Sequence, residues 1–453
     1  MSPGILLKSK KESSLLSCKI RRPFPPAKVR IPYDDFSGPP AVPCVALGAR
    51  VKVGETIALP SGGESLAIHS SVAGEVTGLG FFPHPLKGIA SGVEITSDSR
   101  DSRLAEIGVE RKGWEIFSAE DYLNLFRDAG LTDFKRENMP LHVKILKHRG
   151  IRTMVINACE SDPYVSAAQA LMMAHPLELL KGAEILRRAA EAERVMIATE
   201  TDKMESAEIL KSKIYFLKWK NFEVRIFPPL FPQDEPSLLI EQFRSKETED
   251  SIAVFEPAAA FAAYEAVALQ KPFYERVVTV GGECIVEPQN VWARIGADFE
   301  FLIKSARGLL RRPEKIIMGG AMRGMAQEHL AVPVIASTSA VLGLPPEIAK
   351  PGRVEPCIRC GECVAHCPVE ISPVMITLAA ERDLFETARD YGVERCIECG
   401  NCSYVCPSKR PMLELLRYAS SRISKPDPEP AQFETQNSKT NVETAVTSSY
   451  GEK

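Results

Sequence analysis

The sequence has no surplus of positive charge. Lys and Arg number 56 against 59 Asp and Glu, a net charge of −3, so nothing in the charge balance points to a nucleic acid partner. Long hydrophobic runs are missing as well, since no segment reaches the roughly 18 apolar residues that a membrane-spanning helix needs. The opening "MSPGILLKSKKESSLL" has too short an apolar stretch for a signal peptide. Any membrane association is therefore expected to be peripheral. Cysteine is scarce outside one region: of 12, eight lie between Cys357 and Cys406. A secreted disulfide scaffold would be small and cysteine-dense throughout, so a reduced, cytoplasmic compartment fits better. At 453 residues the chain is too long for one core, and about 100 to 200 residues per domain implies three or four domains.

The concentrated cysteines fall into two matched runs, "CIRCGECVAHCP" from Cys357 and "CIECGNCSYVCP" from Cys396. Each has the rhythm Cys-x2-Cys-x2-Cys-x3-Cys-Pro. Three closely spaced thiolates on a curled loop can take three corners of a four-iron cubane, while the fourth, beyond a turn fixed by proline, points to a second cluster. Cys357, Cys360 and Cys363 are thus expected to share a [4Fe-4S] cluster with Cys406, and Cys396, Cys399 and Cys402 to share another with Cys367. The 28 residues between Cys367 and Cys396 supply the return path, reading as a helical excursion that begins at the Ser372-Pro373 cap signal and ends at Gly392. Gly361 and Gly400 are expected to keep side chains off the clusters and leave amides free to donate to sulfur. Two structural zinc sites are the alternative, because four thiolates also suit Zn²⁺. Cys18, Cys44, Cys159 and Cys284 read as buried thiols rather than ligands.

Upstream of these runs the pattern changes several times. Between Val42 and Ile95, "VALGARVKVGETIAL" and "LAIHSSVAGEVTGL" alternate apolar and polar residues with glycine punctuation, the mark of short strands and tight turns. They resemble the two halves of a biotinyl- or lipoyl-type barrel-sandwich. Where such carriers present a modifiable lysine this chain reads "GGESLA", so a structural module is expected. From Ser118 to about Ala258, apolar runs such as "TMVINA", "RVMIAT" and "FEVRIF" alternate with helical periods, which implies a parallel sheet flanked by helices. Residues Arg276 to Leu344 open with strand, turn, strand and helix, a β-grasp-like order. Beyond Ser424 the tail is polar and reads as disordered.

The order of modules resembles the RnfC/RsxC family, the peripheral component of Rnf ion-translocating electron transport complexes, over nearly the whole chain. The residues that carry the resemblance are the two cysteine runs, "CSYVCPSKRPMLELLR", "IMGGAMRGMA" at Ile317 and "INACESDPY" at Ile156. The resemblance implies a multidomain α+β architecture: a barrel-sandwich β module (35–100) behind an N-terminal extension (1–34), an α/β Rossmann-like domain similar to the flavin subunit of complex I (115–260), a β-grasp SLBB domain (270–345), and an α-helical dicluster ferredoxin domain (350–424) before the tail (425–453). In that family NADH reduces FMN and electrons pass through the clusters towards membrane-bound partners. The resemblance therefore implies other Rnf-type membrane subunits and a ferredoxin-like redox protein as partners, on the cytoplasmic side of the membrane.

The flavin motifs depart from the family's. Its glycine-rich phosphate loop, near G-x-G-G-A-G-F-P-T-x-x-K, is here "DFKRENMPLHVK", with Asp133, Lys135, Arg136 and Asn138 in the glycine places and Pro140 and Lys144 kept. A second signature appears as "FPQDEPSLLI", Phe231 to Ile240, with Asp234 and Glu235 replacing two glycines. Two carboxylates facing phosphates would repel by about 1 kcal/mol each in wet surroundings and more when desolvated. The FMN/NADH site is thus expected to be lost, leaving Lys144, Glu160 and Asp162 as vestigial cofactor positions. FMN retained through the charges of Lys135 and Arg136 is the alternative. "MGGAMRG", Met318 to Gly324, is a lone glycine cluster after one strand and a weak nucleotide signal.

Overall fold

The computed structural model describes residues 4–11, 19–135, 137–243, 251–350 and 352–423. Cys18, Arg136 and the 425–453 tail lie outside the described residues. The glycine-punctuated segment builds two antiparallel sheets. One has the order Lys28–Pro32, Gly88–Ser97, Gly74–His84, Arg50–Val51, and the other Val42–Pro43, Thr56–Leu59, Ile68–His69. Strand alternation sends Val29, Ile31, Val51, Ile57, Val76, Val93 and Ile95 inward, and this shared apolar layer holds the sheets together. At the carrier-lysine position Ser65, Leu66 and Ala67 are buried. The Ala67 N–H donates to the Arg127 carbonyl, and His142 Nε2 lies 2.8 Å from the Gly63 carbonyl oxygen. The segment is folded under the next domain instead of being offered to solvent.

That next domain has a four-stranded parallel sheet, in the order Phe222–Phe227, Arg194–Glu200, Thr153–Asn157, Ile252–Phe255. Its central strand Thr153–Asn157 is buried at every position, as expected where helices cover both faces of a parallel sheet. Ser118 starts the first long helix, Ala119–Asp128, by a reciprocal capping box with Asp121. Prolines at Pro176, Pro236 and Pro257 open three further helices, where a missing N–H costs nothing.

The strand, turn, strand and helix order is present as strand Glu275–Gly281, strand Gln289–Arg294 and helix Phe299–Ser305. The Asp298 side chain caps that helix by accepting from the Phe301 amide at 2.7 Å. The sheet continues through Ala340–Leu344, Lys315–Met318 and Met325–Gln327, and Ile20–Arg21 from the lead segment adds a parallel edge strand. After the turn-long helix Pro346–Ala349, five more α-helices follow among the described residues, Glu362–Ala365, Pro373–Ala380, Phe385–Asp390, Asn401–Val405 and Met412–Ile423. The single excursion between the cysteine runs is in fact two helices, broken at Asp383, whose φ of 56° lies in the left-handed region. Among the described residues no helix is long and apolar enough to cross a membrane.

A buried charge cluster ties the β-grasp sheet to its surroundings. Glu275 meets Lys271 at 2.8 Å, Arg22 at 2.5 Å and Arg294 at 3.5 Å. Burial alone would raise its carboxyl, but Lys271, Arg294 and Arg22 outweigh that and hold it down to about 2. Because the folded value lies below the ordinary 4.5, this stabilisation is complete above pH 4.5 and is lost as pH falls towards 2. Glu275→Gln should cost about 1.5 to 3 kcal/mol at neutral pH, because it removes the carboxylate that Lys271 and Arg294 share while leaving each one partner, Glu265 and Asp101. Urea unfolding of the two proteins at several pH values should show the gap narrowing only below pH 4.5.

Candidate functional site

The two cysteine runs fold as near copies. Arg359 and Glu398, each two residues past the first cysteine, have φ of 57° and 50°, and their amides donate to Cys357 Sγ and Cys396 Sγ at 3.4 Å. Gly361 and Gly400 follow at φ 81° and 82° and start the short helices Glu362–Ala365 and Asn401–Val405. The amides of Arg359 and Glu398 thus serve the sulfurs, while the glycines supply the left-handed turn that a Cβ would strain. At Gly400 a Cβ would also come within 2.9 Å of the Met322 carbonyl oxygen.

The helical return brings Cys367 of the first run to the second. Cys367, Cys396, Cys399 and Cys402 line one pocket of about 310 Å3, open mouth included, together with Val369, Ile371 and Leu416. Cys367, Cys399 and Cys402 are buried. Burial, followed by the neighbouring thiols, raises the Cys402 thiol strongly, and burial raises Cys396 and Cys399 to about 11. Cluster assembly here would release protons at neutral pH. The other four sulfurs lie nearer the surface, with Cys360 exposed and Cys357, Cys363 and Cys406 half-buried. The Glu355 amide donates to the Ser408 carbonyl at 2.9 Å and Ser408 Oγ donates to the Pro356 carbonyl at 2.9 Å. These bonds lay the start of the first run against the end of the second. Among the described residues no group of three or more His, Cys, Asp or Glu side chains is drawn together closely enough to hold a single metal ion.

At the flavin-like loop the charges expected to repel a ligand are paired within the chain. Asp133 is buried, and its Oδ1 accepts from the Lys135 and Met139 amides at 3.2 and 3.1 Å. Lys144 Nζ donates to its Oδ2 at 3.2 Å. Burial lowers the Lys144 ammonium, and the Asp133 carboxylate opposes that. Lys135 pairs with Glu256 at 2.6 Å. Asp234 pairs with Arg323 and accepts from Ser161 Oγ at 2.7 Å, and Glu235 lies 3.5 Å from the same guanidinium. Asp234 and Glu235 thus face Arg323, in the loop whose glycines gave only a weak nucleotide signal. Sequence reasoning missed both pairings; the one available hint was an arginine inside an otherwise small-residue loop.

Two further expected positions have structural partners. The Glu160 carboxylate accepts from the Ala168 and Gln169 amides at 2.8 and 3.1 Å, capping helix Ala167–Ala174, and its carbonyl accepts from Lys11 at 2.8 Å. Buried Asp162 accepts from the Ala321 and Met322 amides at 2.8 and 3.3 Å. A Cβ on Gly320 would lie 2.0 Å from Asp162 Oδ2, so glycine is needed there. Burial raises the Asp162 carboxyl to about 6 against the pull of Arg323. Among the other cysteines Cys159 and Cys284 are buried as expected, but Cys44 is exposed, because it follows the open edge strand Val42–Pro43.

Comparison with known proteins then places the chain. Family models match for the RnfC Barrel sandwich hybrid domain over residues 1–100, the Nuo51 FMN-binding domain over 126–261 and the 4Fe-4S dicluster domain over 352–407. The C component of the proton-translocating ferredoxin:NAD(+) oxidoreductase complex of Clostridium ljungdahlii is 32% identical over 406 residues, 87% of this chain and 88% of that one. The chain belongs to the RnfC family. The C component of the Na(+)-translocating ferredoxin:NAD(+) oxidoreductase complex of Acetobacterium woodii is 29% identical over 88% of this chain and 91% of its own length. The C component of the ion-translocating oxidoreductase complex of Pseudomonas aeruginosa is 31% identical over 79% of this chain but only 47% of that longer protein.

Within this RnfC family member the two cofactor regions differ in their fit. The eight thiols suit two [4Fe-4S] clusters, since four of them already surround a pocket. At the phosphate-type loop the Lys135 and Met139 amides and Lys144 are taken by the carboxylate of Asp133, which a bound FMN phosphate would have to displace. Asp133→Asn should leave Lys144 buried without its counter-charge and lower stability by about 3 kcal/mol or more, read as a drop in the urea midpoint. Glycine at 133, 135, 136 and 138 together should unpair Lys144 and Glu256 and still not restore FMN binding, because Asp234 and Glu235 remain, measured as quenching of added flavin fluorescence.

Proposed function

We propose that this chain is the electron-transfer subunit of a membrane-associated, Rnf-type ion-translocating oxidoreductase complex, and that it works without a flavin or NADH site of its own. Cys357, Cys360, Cys363 and Cys406 would hold one [4Fe-4S] cluster, and Cys396, Cys399, Cys402 and Cys367 the other. When bound, such clusters supply one-electron transfer at potentials set by their surroundings. The observation that carries the reading is the pocket lined by Cys367 together with the three cysteines of the other run, the crossed arrangement that a dicluster domain requires. Exposed Cys360 marks the end at which a ferredoxin-like protein or another member of the complex would approach. The buried pocket lies inward, where the Gly400 turn meets the Met322 carbonyl. Docking would be peripheral, on the cytoplasmic face.

A second reading is favoured by the match to the Nuo51 FMN-binding domain over 126–261: a complete NADH-oxidising module with altered flavin contacts. The internal pairing of Asp133 with Lys144 and of Asp234 with Arg323 supports the first reading over this one.

Two measurements test the assignment. Cys406→Ser should damage the cluster of Cys357, Cys360 and Cys363 and spare the nearer triplet, while Cys367→Ser should do the reverse. Electron paramagnetic resonance of each variant distinguishes the crossed arrangement from an uncrossed one. In the unmodified protein, dithionite should reduce both clusters and NADH neither. Reduction by NADH of the chain alone would favour the second reading.

A further inference from the structure

One surface of the α/β domain is used by none of the chemistry above. Helix Met204–Leu217 turns Ser206, Ala207, Leu210 and Ile214 inward, the i, i+4, i+8 side of a surface helix. Its outward side runs through Glu208, Lys211, Ser212 and Tyr215. Tyr215 and Phe216 are 87% and 78% exposed, an unusual position for two adjacent aromatic rings. Around them the segment Lys211–Lys220, "KSKIYFLKWK", holds four lysines and no carboxylate, in a chain whose net charge is −3. Lys211 reaches Glu208 at 3.4 Å, while Lys213, Lys218 and Lys220 are exposed and have no ion pair among the described residues. Trp219 is half-buried and tilted over Phe222 at 4.7 Å, so the chain is fixed where it leaves the helix through Lys218, at φ 57°.

We propose that this helix end is a contact surface for an anionic lipid headgroup layer. Aromatic rings with one apolar and one polar side settle at the boundary between headgroups and acyl chains. Exposed lysines beside them gain from the negative surface potential, each acting within about a Debye length of the surface. An acidic protein segment would satisfy the lysines but offers no burial for Tyr215 and Phe216, and an apolar protein surface would leave the lysines desolvated and unpaired. The lipid boundary answers both. The inference goes beyond the electron-transfer reading and is tested without any redox readout.

The test is co-sedimentation of the full chain, clusters intact, with phosphatidylglycerol-containing vesicles and with phosphatidylcholine vesicles. Binding should require the anionic lipid and weaken as salt is raised. Replacing Lys213, Lys218 and Lys220 together by Gln should weaken it about a hundredfold, and Tyr215→Ser with Phe216→Ser about tenfold. These side chains pack little within the chain, so iron content and circular dichroism should not change. Phe81→Ser, at an exposed aromatic in the barrel-sandwich, should bind as the unmodified protein does. Equal binding by the helix variants and the unmodified chain overturns the proposal. So does absence of vesicle binding combined with loss of the integral membrane partners from the lysine variant in detergent, which would make the surface a protein contact.

Discussion

Arg323 places a half-buried guanidinium where three domains meet, and a cation drawn out of water must be answered by carboxylates at close range or it destabilises the fold. Asp234 and Glu235 of the α/β domain answer it, and Asp162 adds a third negative group by holding the loop's own amides. On the other side Arg417, which pairs with Glu398 of the second cysteine run at 2.7 Å, donates to the Arg323 carbonyl at 3.3 Å. The loop Gly320–Gly324 thus clamps the flavin-like domain to the dicluster domain. Its glycines serve that close packing.

The same logic applies at the neighbouring phosphate-type loop. Backbone amides arranged to receive an anion, with a lysine behind them, remain a strong anion site whether or not a nucleotide arrives. Here Asp133 supplies the anion from within the chain, takes two amides and Lys144, and so keeps a buried lysine compensated. Such a site can lose its ligand without losing its fold, so a matching FMN-binding family model is compatible with the proposed loss of FMN. Electrons would then enter and leave by protein contact.

The approach of Cys367 to Cys396, Cys399 and Cys402 was legible because thiolate spacing is local, and because the fourth cysteine beyond a proline turn can point in few directions. Domain order was legible from changes of period: alternation in the barrel-sandwich, α/β alternation, then short helices between cysteines. What could not be read was charge pairing, within the α/β domain and beyond it. Asp133 and Lys144 stand 11 residues apart and Asp234 and Arg323 stand 89 apart, and in the sequence Asp133 stood only in a glycine's place while Asp234 looked like a repulsive charge beside a phosphate. Only the folded chain shows that these charges pair with one another. The break of the inter-run helix at Asp383 was likewise hidden, because an aspartate in the left-handed region leaves no distinctive pattern among helix-forming neighbours.

If the chain's own carboxylates stand in for the flavin phosphate while the eight thiols hold two clusters, cofactor content must show iron without flavin. The most direct measurement is iron, acid-labile sulfide and flavin per chain on protein purified anaerobically without added cofactor. The account predicts about eight irons and eight sulfides, as two four-iron clusters require, and no FMN. One FMN per chain, bleached on addition of NADH, would contradict it.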